Sequence, residues 1–323
     1  MSETTIEIPR ELTRKTVAKL SQRIDETARA DSYVVDCSRL AYAEPFGMLL
    51  CAAVLRRFVG QHRTQAAFRA RGVDGGSYAA HMGFYQSFGP KLGNLPGKAR
   101  GSSDYIPITS LKIRDLAAGH QGLLIGEAVA AEATRLAEIL IRRDSGAAFS
   151  QVAYAFTEIM RNVVEHSRSQ EVWDAAQHWP QQQRVEIAIL DEGVGIRSSL
   201  ARNPAHRVKT DLQAILRALE RGVSGSPPPT DEDLMHGDSW RNTGYGLYIV
   251  SNLCSRAGAF SACSGDTIWH MDGSTKSSER ANHKGTAIRM VLRTSDETHI
   301  RAIIDNLMKS PGHRKGRSQN PGL

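Results

Sequence analysis

The sequence predicts an α/β protein in two units, and three observations carry that expectation. Close to the N-terminus, short apolar runs alternate with helical periodicity in the order strand, helix, strand, helix, the pattern of a small α/β layer. Further on, Phe149, Val152, Phe156, Ile159 and Val163 recur at three- and four-residue steps, the buried stripe of an amphipathic helix. Beyond that helix, a strand at 185–190 and a later one at 284–292 bracket two glycine-bearing turns. A chain of 323 residues has room for two domains of ordinary size.

Taken in order, residues 33–36 form a short buried strand, followed by a turn through Cys37, Ser38 and Arg39. Phe46, Leu49, Leu50, Ala53, Val54 and Phe58 then mark a helix, with Pro45 suited to its first turn. Residues 66–70 make a second strand and 78–84 a short helix. The stretch 90–110 is dense in Gly, Pro, Ser and Lys and is expected to be a linker or exposed loop. Residues 121–143 are strongly helical and either pack between the units or form a dimerisation helix, so a homodimer is possible. The division expected is a first unit over 1–100, a linker and connecting helix over 101–145, a second unit over 146–309 and a basic tail over 310–323.

Within the second unit, 214–220 reads as helix, and 221–243 is a Pro- and Gly-rich loop without apolar period, ending near Arg241. Residues 259–264 and 267–270 are expected to be the two strands of a hairpin. A polar loop follows over 271–283 and a C-terminal helix over 296–309.

The chemistry-bearing residues cluster in this unit. Glu158 and Asn162 lie four apart and share a helix face, with His166 one turn further on. A carboxamide oxygen can hold Mg²⁺ while a carboxylate orients or deprotonates an attacking hydroxyl; a solvated polar face has the same spacing. Asp191 follows a buried strand, where it can accept from a donor such as an amino group. Gly193, Gly195, Gly244, Gly246 and Gly285 permit close backbone approach, and a helix opening at 246 presents N–H groups suited to phosphate.

As a set, Glu158–Asn162, Asp191–Gly193–Gly195, Gly244–Gly246 and Gly285–Thr286 resemble the N, G1, G2 and G3 boxes of the GHKL superfamily. That superfamily includes gyrase-type topoisomerases, heat-shock chaperones, histidine kinases and mismatch-repair ATPases. The resemblance implies a Bergerat ATP-binding fold, a mixed sheet covered on one face by helices, with ATP and Mg²⁺ as cofactors. It implies that Glu158 is the general base, Asn162 the Mg²⁺ ligand and Asp191 the reader of adenine. Gly193, Gly195 and Ile196 would line the base pocket. Gly244, Tyr245, Gly246 and Leu247 would form the phosphate-side turn, Thr286 would help to hold the adenine end, and 221–243 would be a mobile lid.

The first unit resembles STAS domains, whose regulated Asp-Ser pair would align with Glu44-Pro45. Proline cannot accept phosphate, so docking and not phosphorylation is expected there. Glu44 would either imitate a phosphate in part or favour the helix N-terminus through its dipole.

Three functions follow as expectations. The first is an ATPase that hydrolyses slowly and regulates a protein partner through lid closure. The second is a serine kinase of the anti-sigma type, and the third a non-enzymatic module stabilised by ATP. Histidine autokinase activity is disfavoured, because His120 precedes one helix instead of lying within a hairpin and His166 lies inside the Glu158 helix.

Charge and composition narrow the setting. The net charge of +7 is local: eight Lys or Arg stand against one acid, Asp74, between Arg56 and Arg100. The tail adds Lys309, Arg314, Lys315 and Arg317. Such patches suit nucleic acid or an acidic partner, yet no nucleic-acid-binding motif accompanies them. No apolar run approaches bilayer length, and Cys37, Cys51, Cys254 and Cys263 lack metal or redox spacing, so free thiols in the cytoplasm are expected.

Overall fold

The structure, a computed structural model, describes residues 2–113, 125–141, 146–224 and 244–293, together with residues 302, 303 and 306. Its first unit is a parallel three-stranded sheet of β1 (Glu3–Glu7), β3 (Ser32–Asp36) and β5 (Ala67–Arg71), with β3 in the centre. A second parallel pair joins β2 (Glu11–Leu12) to β4 (Tyr42–Ala43). Parallel neighbours require crossovers, and two helices supply them, α1 (Arg14–Asp25) and α2 (Pro45–His62). The Thr13 side chain caps α1 in a capping box with Thr16, and Val17, Leu20, Ser21 and Ile24 form its buried stripe. Two short helices follow, α3 (Tyr78–His81) and α4 (Phe84–Phe88), parted by Gly83 at φ +84°.

The second unit is a five-stranded sheet in the order β6-β7-β8-β10-β9. These strands are β6 (Tyr105–Lys112), β7 (Glu171–Trp179), β8 (Arg184–Asp191), β9 (Gly258–Asp272) and β10 (Thr275–Arg293). On one face lie α5 (Ile125–Ile141), α6 (Ala147–Asn162), α7 (Gly195–Leu200), α8 (Asp211–Ala218) and α9 (Gly246–Ala257). On the other lie α1 and α2, which touch β7, β8 and β10 and so sit between the two sheets. Side chains alternate along a strand, and β8 shows the result. Val185, Ile187 and Ile189 join the core under α5, α6 and α9, while Ala188 and Leu190 join the core under α2. A strand buried on both faces reads as an unbroken apolar run. Helix α2 is caught in the same way: every residue from Pro45 to Leu55 is buried.

The α/β class is therefore as expected, with four corrections to its details. First, all pairings in the large sheet are antiparallel, so it is not mixed. Second, the expected linker ends in a strand: β6 pairs with β7, and Gly97 N and Ile108 N donate to Ile108 O and Met82 O. Pro107 hid it, because proline is tolerated on an edge strand that needs no donor there. Third, 258–272 is one strand bent at Gly265 (φ +63°), and much of the expected polar loop over 271–283 is its hairpin partner β10. Fourth, Glu44 stands at the N-cap of α2, as the dipole alternative has it, but is no exposed phosphate mimic. Its carboxylate accepts from Arg184 at 2.7 Å, and Arg289 lies 3.4 Å from it. Both arginines also reach Glu186, at 2.6 and 2.8 Å, so Glu44 is a buried contact between units.

Half of the basic stretch pairs within the chain: Arg56 with Glu192, Arg57 with Asp25, Arg69 with Glu3 and Arg71 with Asp36. All four cysteines are buried free thiols. Among the described residues no helix is long and apolar enough to cross a membrane. His120, most of the 221–243 loop with Arg241, most of the 296–309 helix and the basic tail lie outside the described residues.

Candidate functional site

Between α6, α7, α9 and the ends of β8 and β10 lies a cleft that is partly open to solvent. Its walls are mostly aliphatic: Ile159, Val163, Ile189, Ile196, Leu200, Leu247 and Ile288. The polar groups among them are few, namely Asn162, His166, Ser167, Asp191, Ser199, Ser224 and Thr286.

Asp191 closes β8 opposite Thr286 of β10, in the register Thr286↔Asp191. The carboxylate is 2 % exposed and accepts from Gly193 N at 2.8 Å. Burial pushes its pKa up to about 7, against the pull of hydrogen bonds from Gly193 and from the backbone and side chain of Thr286. Its other polar partner is behind it. Buried His283, held neutral by desolvation with its pKa down near 4, donates from Nε2 to the Asp191 carbonyl at 2.8 Å.

The glycines are where backbone meets backbone. A Cβ on Gly193 would stand 2.0 Å from Ser167 O, the acceptor of Val194 N, and one on Gly285 would stand 2.0 Å from Asp191 O. Gly195 takes φ +77° under Ser264, whose hydroxyl accepts from Ile196 N and donates to Gly285 O. On the far side, Gly244 at φ +69° packs against Val223 and opens the turn into α9.

The structure brings Asn162, Asp191, Gly195, Ile196, Gly244, Leu247 and Thr286 to this one cleft. Gly193 supports it from behind. Tyr245, with the Arg221 guanidinium 5.4 Å from its ring centroid, and Gly246 stand beside it. Glu158 differs from expectation, since it is not among the lining residues. It is fully buried, its Oε1 accepts from Arg161 at 3.0 Å, and Gly246 packs on its Cβ. The helix also changes pitch after Asn162, with residues Val163–Ser167 forming a π turn that lets His166 and Ser167 line the cleft as well. Ser167, Ser264 and His283 escaped the sequence reading, because a lone Ser or His in an ordinary strand or turn carries no spacing signal.

As a site for Mg²⁺, the cleft offers one oxygen donor from the expected set, Asn162. Among the described residues no group of three or more His, Cys, Asp or Glu is placed to hold a metal. The sequence matches no family model, and no curated protein matches it.

Proposed function

We propose that this protein binds adenine nucleotide with Mg²⁺ in the Asp191 cleft and responds to its presence by regulating a protein partner. One observation carries the reading. Asp191 is a buried carboxylate at an apolar slot whose known partners are neutral donors, so a ligand amine supplies the strong hydrogen bond still open to it. Aliphatic walls suit a flat base, Asn162 would hold the cation, and the start of α9 would offer backbone N–H groups to the phosphates. Five helices packed on one face of the sheet, with α1 and α2 of the first unit on the other, and the clustering of residues from all four boxes support the GHKL reading. The parallel β1–β3–β5 layer supports a STAS-like first unit.

When bound, ATP supplies a triphosphate that lid residues can sense. A hydrolytic step would ask Glu158 to reach the attacking water. Its Oε1 is held by Arg161 inside the helix packing, which favours slow turnover. The same observation favours, as a second reading, a module that binds nucleotide without consuming it.

Calorimetry on Asp191→Asn tests the proposal. Loss of a hydrogen bond to a charged acceptor costs about 1.5–3 kcal/mol, or roughly tenfold to a hundredfold in affinity. Wild-type affinity in this variant would overturn the assignment of the base-reading residue.

A further inference from the structure

The turn carrying Asp191 is held from three sides, and one hold comes from the first unit. At the end of α6, Ser167 O accepts from Val194 N at 2.7 Å and Ser169 Oγ from Glu192 N at 3.3 Å. On β10, His283 donates to Asp191 O. On α2, Arg56 Nε donates to Glu192 Oε2 at 3.2 Å, and Nη2 stands 3.1 Å from the same oxygen. The guanidinium is itself fixed: Nη1 donates to Ser87 O of α4 at 2.7 Å, and Cζ lies 4.0 Å from the Trp173 ring centroid. A planar cation that is stacked, bonded to a carbonyl and paired with a carboxylate has little freedom. It therefore fixes Glu192, one peptide away from the cleft carboxylate. Arg57 reinforces the hold from the same helix by donating to Asn282 Oδ1 at 3.0 Å, beside His283.

We infer that Arg56 of α2 is a positioning residue for the Asp191 turn, so that nucleotide affinity in the cleft depends on the docked first unit. This rests on the nucleotide reading above. It makes the first unit part of the binding site, although α2 touches no ligand. Displacing a binding group by about 1 Å can cost on the order of a hundredfold, which is why a residue outside the cleft matters.

The titratable groups around Asp191 are Glu192 on its own turn, Arg56 and Arg57 on α2, His283 on β10 and His166 across the cleft. Glu192 raises the Asp191 pKa, and Arg56 offsets Glu192. Arg56→Ala and Glu192→Gln break the same ion pair but move the potential at Asp191 in opposite directions. That separates positioning with charge compensation from mere loss of packing.

The experiment is calorimetric titration of the full chain with MgADP across neutral pH, for wild type, Arg56→Ala, Arg56→Lys and Glu192→Gln. Arg56→Ala is expected to weaken binding about tenfold, with part of the loss restored by Arg56→Lys. The pH midpoint of affinity should rise in Arg56→Ala and fall in Glu192→Gln. Wild-type affinity in Arg56→Ala, or midpoints that move together, would overturn the inference while leaving the nucleotide reading intact. Should Arg56→Ala not fold, unchanged affinity and midpoint in both Arg56→Lys and Glu192→Gln would overturn it equally. Absence of ADP binding by the wild type removes the nucleotide reading, and this inference with it.

Discussion

Glu186 and Asp191 lie five residues apart on β8, both buried, and they face different chemistry. Glu186 points toward the first unit, whose Phe46 N donates to it at 3.2 Å, and is paired there with Arg184 of its own strand and Arg289 of β10. Asp191 borders the cleft on the helical side and is held there by amide and hydroxyl donors. Burial raises the pKa of both, but at Glu186 two guanidinium groups pull it back. Because Glu44 of the first unit shares the same two arginines and Phe46 N bonds Glu186, this cluster fastens the units. A buried carboxylate beside an apolar cleft with only neutral donors keeps a raised pKa, and the proposal above makes it the group that reads a ligand amine. The two faces of a single sheet thus carry different chemistry, a guanidinium–carboxylate cluster on one side and, on the other, the cleft to which the proposal assigns recognition.

The comparison breaks most sharply at Glu186. Glu186→Ala would leave two arginines at the junction of the units short of a partner, and losing one side of a buried pair costs about 3–5 kcal/mol. Urea denaturation should show that loss; a change below about 1 kcal/mol would mean the cluster does not fasten the units.

Next in size is Gly285→Ala. Its Cβ would fall 2.0 Å from Asp191 O and 2.8 Å from Oδ1, so backbone must move. Overpacking of this kind costs about 1–3 kcal/mol, and nucleotide affinity should fall with it. Unchanged stability and affinity would show that the Asp191 turn has slack.

The smallest effect concerns pH. The folded pKa of Asp191, about 7, lies above its ordinary value of 3.8, so the folded state holds the proton more tightly. Its contribution to stability is therefore present below the unfolded pKa, declines as pH rises through the interval between the two values, and is fully lost above about 7. Asp191→Asn removes the buried charge and should stabilise the protein at pH 8 by on the order of 1–2 kcal/mol, with little gain at pH 4. Stabilisation at acid pH alone would reverse the sign and refute the assignment.

The glycine turns were legible because glycine is demanded where backbone crowds backbone, as Gly193 is by Ser167 and Gly285 by Asp191. Helix α2 was legible in extent but not in setting. An apolar run on all sides of a helix signals burial, whereas the partner sheet lies more than a hundred residues away in sequence. Helix α1 and strand β1 were missed, since α1 carries Arg14, Lys15, Gln22 and Arg23 around a thin stripe. The outer β9–β10 hairpin was missed because its exposed side chains show no alternation. Contacts from α1, Arg14 to Glu279 and Gln22 to Arg280 O, hold it instead. The burial of Glu158 was not readable either: four-residue spacing from Asn162 puts two groups on one face without saying what covers each.

The central claim is that Asp191 reads a ligand amine at the apolar end of the cleft, and titration of the wild-type protein with MgATP and then MgGTP tests it most directly. Adenine presents an amino group where guanine presents a carbonyl, which a carboxylate cannot accept from. ATP should bind, with affinity weakening as pH falls through about 7, while GTP should bind at least about tenfold more weakly. Equal binding of the two nucleotides, or binding of neither, would contradict the account.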